Sequence, residues 1–458
     1  HSEGASAHFP PGYSAMLATT SLLTRRDVRH GAPRLLSAAL FGILGATSIM
    51  LLQAVHANFS IQTLSLLTLL SFRPLLNHAS LATSELPFLT ALALAILFFI
   101  WWSDNKRLLF FILSAVCCGV MCVTRYVGIV WPIAFFLTCL FFQRESNVRQ
   151  RFISSLAFIT FAYIPLVLWL LGWKLFGAGE SARSIAWHPV SLELVQHGLF
   201  ELSSSVCITA IPKSVIFIAI LLVGCVITKR LFPPPEQTSP SQPNTSLLLL
   251  FLLGLSTFGY IVFLMLSISV LDRATPLDGR ILLPATWSLM MILLVLLHLL
   301  MRQNRNIVAG YMVVLFAFFW IRFLFDATPL LADLNREGID LARPEILYNK
   351  TLDFIRMEVS QEKVVYSNTP WTVSLVSKRN VRYMPSKTAY TSGVVNQNYE
   401  KELNAIAEQV KKGEALIVLD ALYSDAVYDP PTQQEIEGIG LIAEPIKSTE
   451  RFRVYGQP

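Results

Sequence analysis

Apolar runs near the length of a bilayer crossing recur ten times along this 458-residue chain, and no other feature restricts its fold so strongly. A spanning helix takes about 20 apolar residues, with roughly 17 to 25 tolerated, because backbone in hydrocarbon has only itself to hydrogen-bond with. Segments 35–55, 57–72, 86–102, 108–123, 127–142, 152–173, 211–228, 246–270, 281–301 and 307–325 come near that length. Segment 57–72 is short and contains Gln62, and the stretch from 108 to 142 reads as two helices joined by a tight hairpin at Thr124-Arg125-Tyr126. No repeat of fixed period is visible, which sets a solenoid aside.

Charge divides the chain in two. Hydrophobic residues make up 54% of it and charged residues 14%, a balance foreign both to disordered chains and to ordinary soluble globules. Residues 1–325 carry 21 Lys+Arg and 11 Asp+Glu, while residues 326–458 carry 15 and 19. The reading is a remnant outer loop over 1–34, a multispanning domain over 35–325 and a soluble α/β domain over 326–458. The basic excess lies in loops between apolar runs, so no nucleic-acid partner is implied.

The acidic tail has strand-like runs at Val364-Val365-Tyr366, Val381-Arg382-Tyr383 and Leu416-Ile417-Val418-Leu419, a helical run at 399–411 and a hairpin-like stretch at 439–455. Without a GxGxxG or a P-loop it reads as a structural or acceptor-guiding cap rather than a second catalytic centre. Pro233-Pro234-Pro235 through Pro243 reads as a flexible linker. All six cysteines, Cys117, Cys118, Cys122, Cys139, Cys207 and Cys225, lie in or beside apolar runs without His or acid partners, the setting of packing residues rather than of disulfides or metal ligands.

With an even number of spans, residues 1–34 and the tail share one side. The opposite loops are short and dense in cations (Lys106, Arg107, Arg144, Arg149, Arg151, Lys229, Arg230, Arg302 and Arg305), which assigns them to the cytoplasm and the tail to the extracytoplasmic side of a plasma (inner) membrane. Arg25, Arg26, Arg29 and Arg34 run against that bias. The chain opens on His1 and a polar stretch, not on a signal peptide or a first span, and reads as truncated at its N-terminus.

Ionisable residues are costly inside a bilayer, so their placement is informative. Here they avoid helix centres. Glu85, Arg125, Arg280 and Arg322 fall at predicted outer ends, among loops that hold His8, Tyr13, Lys174, Arg183, His188, His197, Asp272, Arg273 and Asp278. Carboxylates at one membrane face can take a proton from a hydroxyl or hold a divalent metal, and Arg forks can hold a phosphate. That set suits transfer from a lipid-linked phosphate. A carrier or flippase for lipid-linked sugars would instead need a polar path through the midplane, and a non-catalytic envelope scaffold would need neither.

His8-Phe9-Pro10-Pro11-Gly12-Tyr13 resembles the "PPGYP" segment that closes the first outer loop of multispanning GT-C glycosyltransferases, in particular the ArnT-like and RgtA/B-like branch related to protein mannosyltransferases. In the same order, Ser84-Glu85 resembles the family's Ser/Thr-acid pair at the start of a span, and Thr124-Arg125-Tyr126-Val127-Gly128 its "TRyvG" run. Gly279-Arg280 with Pro284 resembles its "R-y-x-x-P" helix entry, and Tyr366-Ser367-Asn368-Thr369-Pro370 the "SN-x-P" strand end of its soluble tail.

The resemblance implies a polytopic α-helical membrane enzyme that moves a sugar, with inversion, from a polyprenyl-phosphate donor to an envelope glycan, lipid or protein acceptor. It places Glu85 at the catalytic mouth, Arg125 and Arg280 on the donor phosphate, and His8, Tyr13, Tyr126, Asp272 and Asp278 on substrate. A divalent metal held by Glu85 and His8 is left open, with His188 and His197 as weaker ligands. Family members also carry a catalytic Asp shortly before the Pro-Pro segment, where this chain offers only Glu3.

Overall fold

The computed structural model describes residues 10–26, 31–80, 83–142, 147–176, 189–206, 245–271, 275–303, 349–388, 395–420 and 445–456, with isolated positions between them. The expected span 211–228, most of 307–325, the proline linker, Cys207 and Cys225 lie outside these residues, as do His8, Asp272, Arg273, Arg183 and His188.

The other eight apolar runs are helices. In chain order the first part comprises α1 (Gly12–Thr24), α2 (Gly31–Ala54), α3 (Phe59–Ser71), α4 (Arg73–Ser80), α5 (Glu85–Asn105), α6 (Leu108–Thr124), α7 (Val130–Phe142), α8 (Val148–Phe176), α9 (Leu192–Val206), α10 (Thr245–Val270) and α11 (Leu283–Gln303). Five of them (α2, α5, α8, α10 and α11) are long and apolar enough to cross a membrane, and the pair α3 and α4, bent by 63°, would make a sixth. The bend falls where Phe72 leaves the helix for extended backbone and Pro74 takes a place in the first turn of α4, where its missing N–H is no loss.

Helix α5 is the pillar of this bundle. It is buried on nearly every side from Glu85 to Trp102 and packs against α2, α4, α6, α10 and α11. Within a bilayer the neighbouring lipid is as apolar as leucine, so packing and interhelical hydrogen bonds must hold such helices together. Ser114 donates to the Ala95 carbonyl at 2.8 Å, Thr90 to the Leu40 carbonyl at 3.2 Å, and the Trp287 indole to Ser48 Oγ at 3.2 Å, tying α6, α2 and α11 into the bundle. Toward the far end, Phe99, Phe111, Phe135 and Phe158 from four helices pack ring on ring, with Phe135 stacked on Phe158 at 5.3 Å.

The expected hairpin at Thr124-Arg125-Tyr126 is a sharp reversal. Helix α6 ends at Thr124, Arg125 is extended, and one 3-10 turn (Tyr126–Ile129) leads into α7. Gly128 makes the reversal possible: a Cβ there would lie 2.6 Å from the Met121 carbonyl carbon and oxygen, so the returning chain lies directly on the α6 backbone. Cys118, Cys122 and Cys139 are buried, Cys117 partly so, and all four are free thiols.

Residues 1–34 do not form the expected loop throughout. Residues 12–24 are helix α1, and α2 begins at Gly31 rather than 35. No Gly or Pro interrupts Tyr13 to Thr24, and the helix stops at Arg25, whose φ of 52° is left-handed. Similarly α9 lies within what reads as one long loop, its apolar positions too widely interrupted by Gln, His and Glu to resemble a span.

The described residues from 349 onward hold α12 (Lys350–Met357), β1 (Val364–Ser367), α13 (Pro370–Ser377), β2 (Val381–Tyr383), α14 (Tyr399–Lys411), β3 (Ala415–Asp420), β4 (Lys447–Ser448) and β5 (Phe452–Gly456). The strands form one sheet in the order β2-β1-β3-β5-β4, with β2, β1 and β3 parallel and β5 antiparallel to both neighbours. The central strand β3 is buried at every position, hence its unbroken apolar run. Asp420 at its end is paired with Arg451 at 3.0 Å, and the buried Arg379 donates to the carbonyls of Ile355, Val359 and Ser360 around the end of α12.

Gly128→Ala should lower the melting temperature of the detergent-solubilised protein, at a cost of about 1–3 kcal/mol, because backbone cannot yield as a side chain does. Gly42→Ala, where a Cβ meets nothing within 4 Å, should leave it unchanged or slightly raised. A thermal melt of the two variants beside the parent checks both.

Candidate active site

Glu85 opens α5 and Arg125 closes α6, so the acid sits at a helix N-terminus and the base at a C-terminus, each on the end its charge favours. The α5 side chains that follow are buried, and the Glu85 side chain itself keeps only 4% of its surface exposed. A carboxylate so placed must be neutralised by its neighbours. Arg125 Nη1 donates to Glu85 Oε1 at 2.9 Å, and Arg280 Nε approaches the same oxygen at 3.6 Å. Three residues separated by 40 and 155 positions in the sequence thus meet at one end of the bundle.

The two arginines differ in setting. Arg125 is mostly buried, whereas the Arg280 side chain is 44% exposed. Arg280 stands in the turn before α11. Asp278 Oδ1 accepts from the Ile281 amide at 2.9 Å and the Asp278 carbonyl from the Leu282 amide at 3.0 Å, while the buried Tyr260 hydroxyl donates to the Ile281 carbonyl. Asp278 therefore shapes the turn that carries Arg280.

The Pro-Pro-Gly-Tyr segment closes on the same end. A Cβ at Gly12 would lie 2.5 Å from the Val123 carbonyl oxygen, so α1 begins pressed against the last turn of α6, two residues before Arg125. This brings Tyr13 within electrostatic reach of Glu85. Burial, with the Glu85 charge adding to it, pushes the Tyr13 phenol well above its ordinary range, so its hydroxyl stays protonated. Tyr126 turns elsewhere, toward α8, where its hydroxyl accepts from the Trp169 indole at 3.4 Å. His197 lies on α9.

A likeness of fold accompanies this geometry. Across 99% of its length the chain matches 88% of ArnT from Cupriavidus metallidurans, solved bound to undecaprenyl phosphate, with a TM-score of 0.53 and 13% identity. The fold is GT-C. Across 90% of its length the chain also matches 62% of the oligosaccharyltransferase from Archaeoglobus fulgidus in its apo form, with a TM-score of 0.50 and 10% identity. No family model and no curated protein matches the chain in sequence.

Within this GT-C fold two residues join the cluster that no motif marks. His78, in the last turn of α4, is buried and within electrostatic reach of Glu85, Arg125, Asp278 and Arg280. Glu201 on α9 carries a carboxylate oxygen 3.3 Å from where a Cβ on Gly279 would stand, beside Arg280. Both lie in stretches without a recognisable pattern, and only folding brings them here. For a divalent metal the described donors fit poorly: no three His, Cys, Asp or Glu side chains gather among the described residues, and Glu85 Oε1 already serves two guanidiniums.

Arg125→Ala strands a buried carboxylate and should cost roughly 3–5 kcal/mol of stability. Arg280→Ala, at the more exposed partner, should cost under about 1 kcal/mol. Unfolding of the two purified variants, followed by thermal melts in one detergent, tests that ranking.

Proposed function

We propose that this multi-pass membrane protein is a glycosyltransferase that moves a sugar from a polyprenyl-phosphate donor to a hydroxyl of an envelope glycan, lipid or protein acceptor, on the extracytoplasmic face of the plasma membrane. The observation that carries the reading is the Glu85 cluster: a buried carboxylate, a mostly buried guanidinium and a half-exposed guanidinium at one end of a GT-C bundle. Undecaprenyl phosphate bound to the ArnT of like fold supports a lipid phosphate as the donor's leaving group.

In this reading the acceptor hydroxyl oxygen attacks the sugar's anomeric carbon, the bond from that carbon to the phosphate oxygen breaks, and the electron pair leaves with the polyprenyl phosphate. Inversion follows from a single displacement. Arg280, 44% exposed, neutralises the departing phosphate, and the Glu85 carboxylate orients the acceptor hydroxyl and takes up its proton as the new bond forms. Arg125 keeps Glu85 ionised and fixed. Hexosyl and pentosyl donors both fit this scheme, no step is routed through a metal, and the acidic α/β tail guides the acceptor.

The carrier alternative fares worse. Among the described residues of the bundle, Glu85 is the only fully buried side chain with a full charge, and it sits at an end. Buried hydroxyls along the helices mostly return to their own backbone, as Thr47, Thr68, Thr138, Thr257 and Thr286 do, so these residues line no polar path through the middle.

The deciding experiment is sugar transfer from radiolabelled polyprenyl-phosphate sugars in membranes, with parent and Glu85→Gln at matched expression. We expect the variant to lose roughly 100-fold or more; undiminished transfer would remove Glu85 from the site, and a parent inactive with every donor would overturn the enzyme reading. Arg280→Ala should act mainly on the donor, raising its KM by about 10-fold or more, with Arg280→Lys recovering part of the loss.

A further inference from the structure

His78 is 92% buried, by an exposed fraction of 8%, yet its Nδ1 has no hydrogen-bond partner among the described residues. Buried polar atoms are nearly always paired, by protein, water or ligand. The α4 helix that carries it packs against α2, α3 and α5, and Pro74 of the same helix lies 3.8 Å from where a Cβ on Gly279 would stand, beside the Arg280 turn. The charged groups facing the imidazole are Glu85 from α5, Arg125 from the end of α6, and Asp278 and Arg280 from the turn before α11. A second buried polar atom without a partner among the described residues, the Tyr13 hydroxyl, faces the same carboxylate. Two buried polar groups without a partner among the described residues thus lie within electrostatic reach of Glu85.

Their chemistry narrows the ligand. A phosphate only accepts hydrogen bonds, and guanidiniums already serve that need here. An imidazole nitrogen and a phenol, each able to match a group that both donates and accepts, suit a hydroxyl. We propose that His78 contacts substrate in the transfer reaction, its Nδ1 hydrogen-bonding a sugar or acceptor hydroxyl and holding it against Glu85. The proposal rests on the transferase reading above and adds to it a residue that no motif of the sequence marks. It also accounts for burial without a partner, because the partner arrives with the substrate.

The test uses the full chain in membranes with polyprenyl-phosphate sugar donors, comparing parent, His78→Leu and His78→Asn. Leu removes both ring nitrogens, while Asn restores a polar group near the position of Nδ1. We expect His78→Leu to lose about 10-fold or more in kcat/KM, His78→Asn to recover most of it, and the melting temperature of His78→Leu to stay level or rise, because an unpaired polar atom has been removed. A loss expressed in the acceptor KM with slow donor hydrolysis unchanged assigns the hydroxyl to the acceptor; equal loss in transfer and hydrolysis assigns it to the donor sugar. Transfer by His78→Leu at the parent's rate, or joint loss of activity and melting temperature in both variants, overturns the proposal while the transferase reading stands. A parent inactive with every donor overturns both.

Discussion

A carboxylate at the end of a helix buried on nearly every side has to be neutralised where it stands, and the architecture around α5 answers that demand. Glu85 cannot reach water past its neighbours, so Arg125 must come to it. For Arg125 to do so, α6 must end beside the start of α5 and the chain must turn back at once, which Gly128 permits by lying on the Met121 carbonyl. The turn before α11 must then deliver Arg280 to the same oxygen, and Asp278 and Tyr260 hold it in shape. The pair is more a requirement on register than a source of stability, because two desolvated charges at best recover what their burial costs.

This dependence gives short motifs a physical content. Gly12 and Gly128 stand where backbone meets backbone, at 2.5 and 2.6 Å from a would-be Cβ, and Gly279 leaves room for the Glu201 carboxylate. None of the three is required by a positive φ; Gly12 and Gly128 are required by the closeness of backbone, and Gly279 sits in tight contact with a side chain. The motif residues are therefore partly a packing code for one end of the bundle, and the ionisable residues between the glycines are the cargo that this packing brings together. The same end leaves buried polar atoms on Tyr13 and His78 without partners among the described residues, while most of the buried threonine hydroxyls deeper in the helices are satisfied by their own backbone.

Much of this was legible in the residues. Eight apolar runs are helices at nearly the expected places, since length and hydrophobicity alone decide what a bilayer accepts. The parallel strands β1, β2 and β3 fall on the short strand-like runs, and helix α14 on the helical run at 399–411. Helix α1 was harder to see because its pattern has no strong face and its Leu22 and Leu23 are exposed, so nothing in it demanded burial. Helices α4 and α9 are too short and too polar to register as spans, yet they carry His78 and Glu201 to the cluster.

Hydropathy, then, determined by itself that the chain carries helices long and apolar enough to cross a membrane, because the cost of a polar backbone or charge in hydrocarbon is local and can be read residue by residue. The order of its motifs pointed to Glu85, Arg125 and Arg280 as residues at helix ends. Only the tertiary structure decided that these three share one oxygen, that Tyr126 turns toward Trp169 instead, and that His78 belongs with them. Distances between side chains from different helices depend on crossing angles, helix ends and the close approach of glycines, and these are settled by packing the whole bundle at once rather than by any local run of sequence.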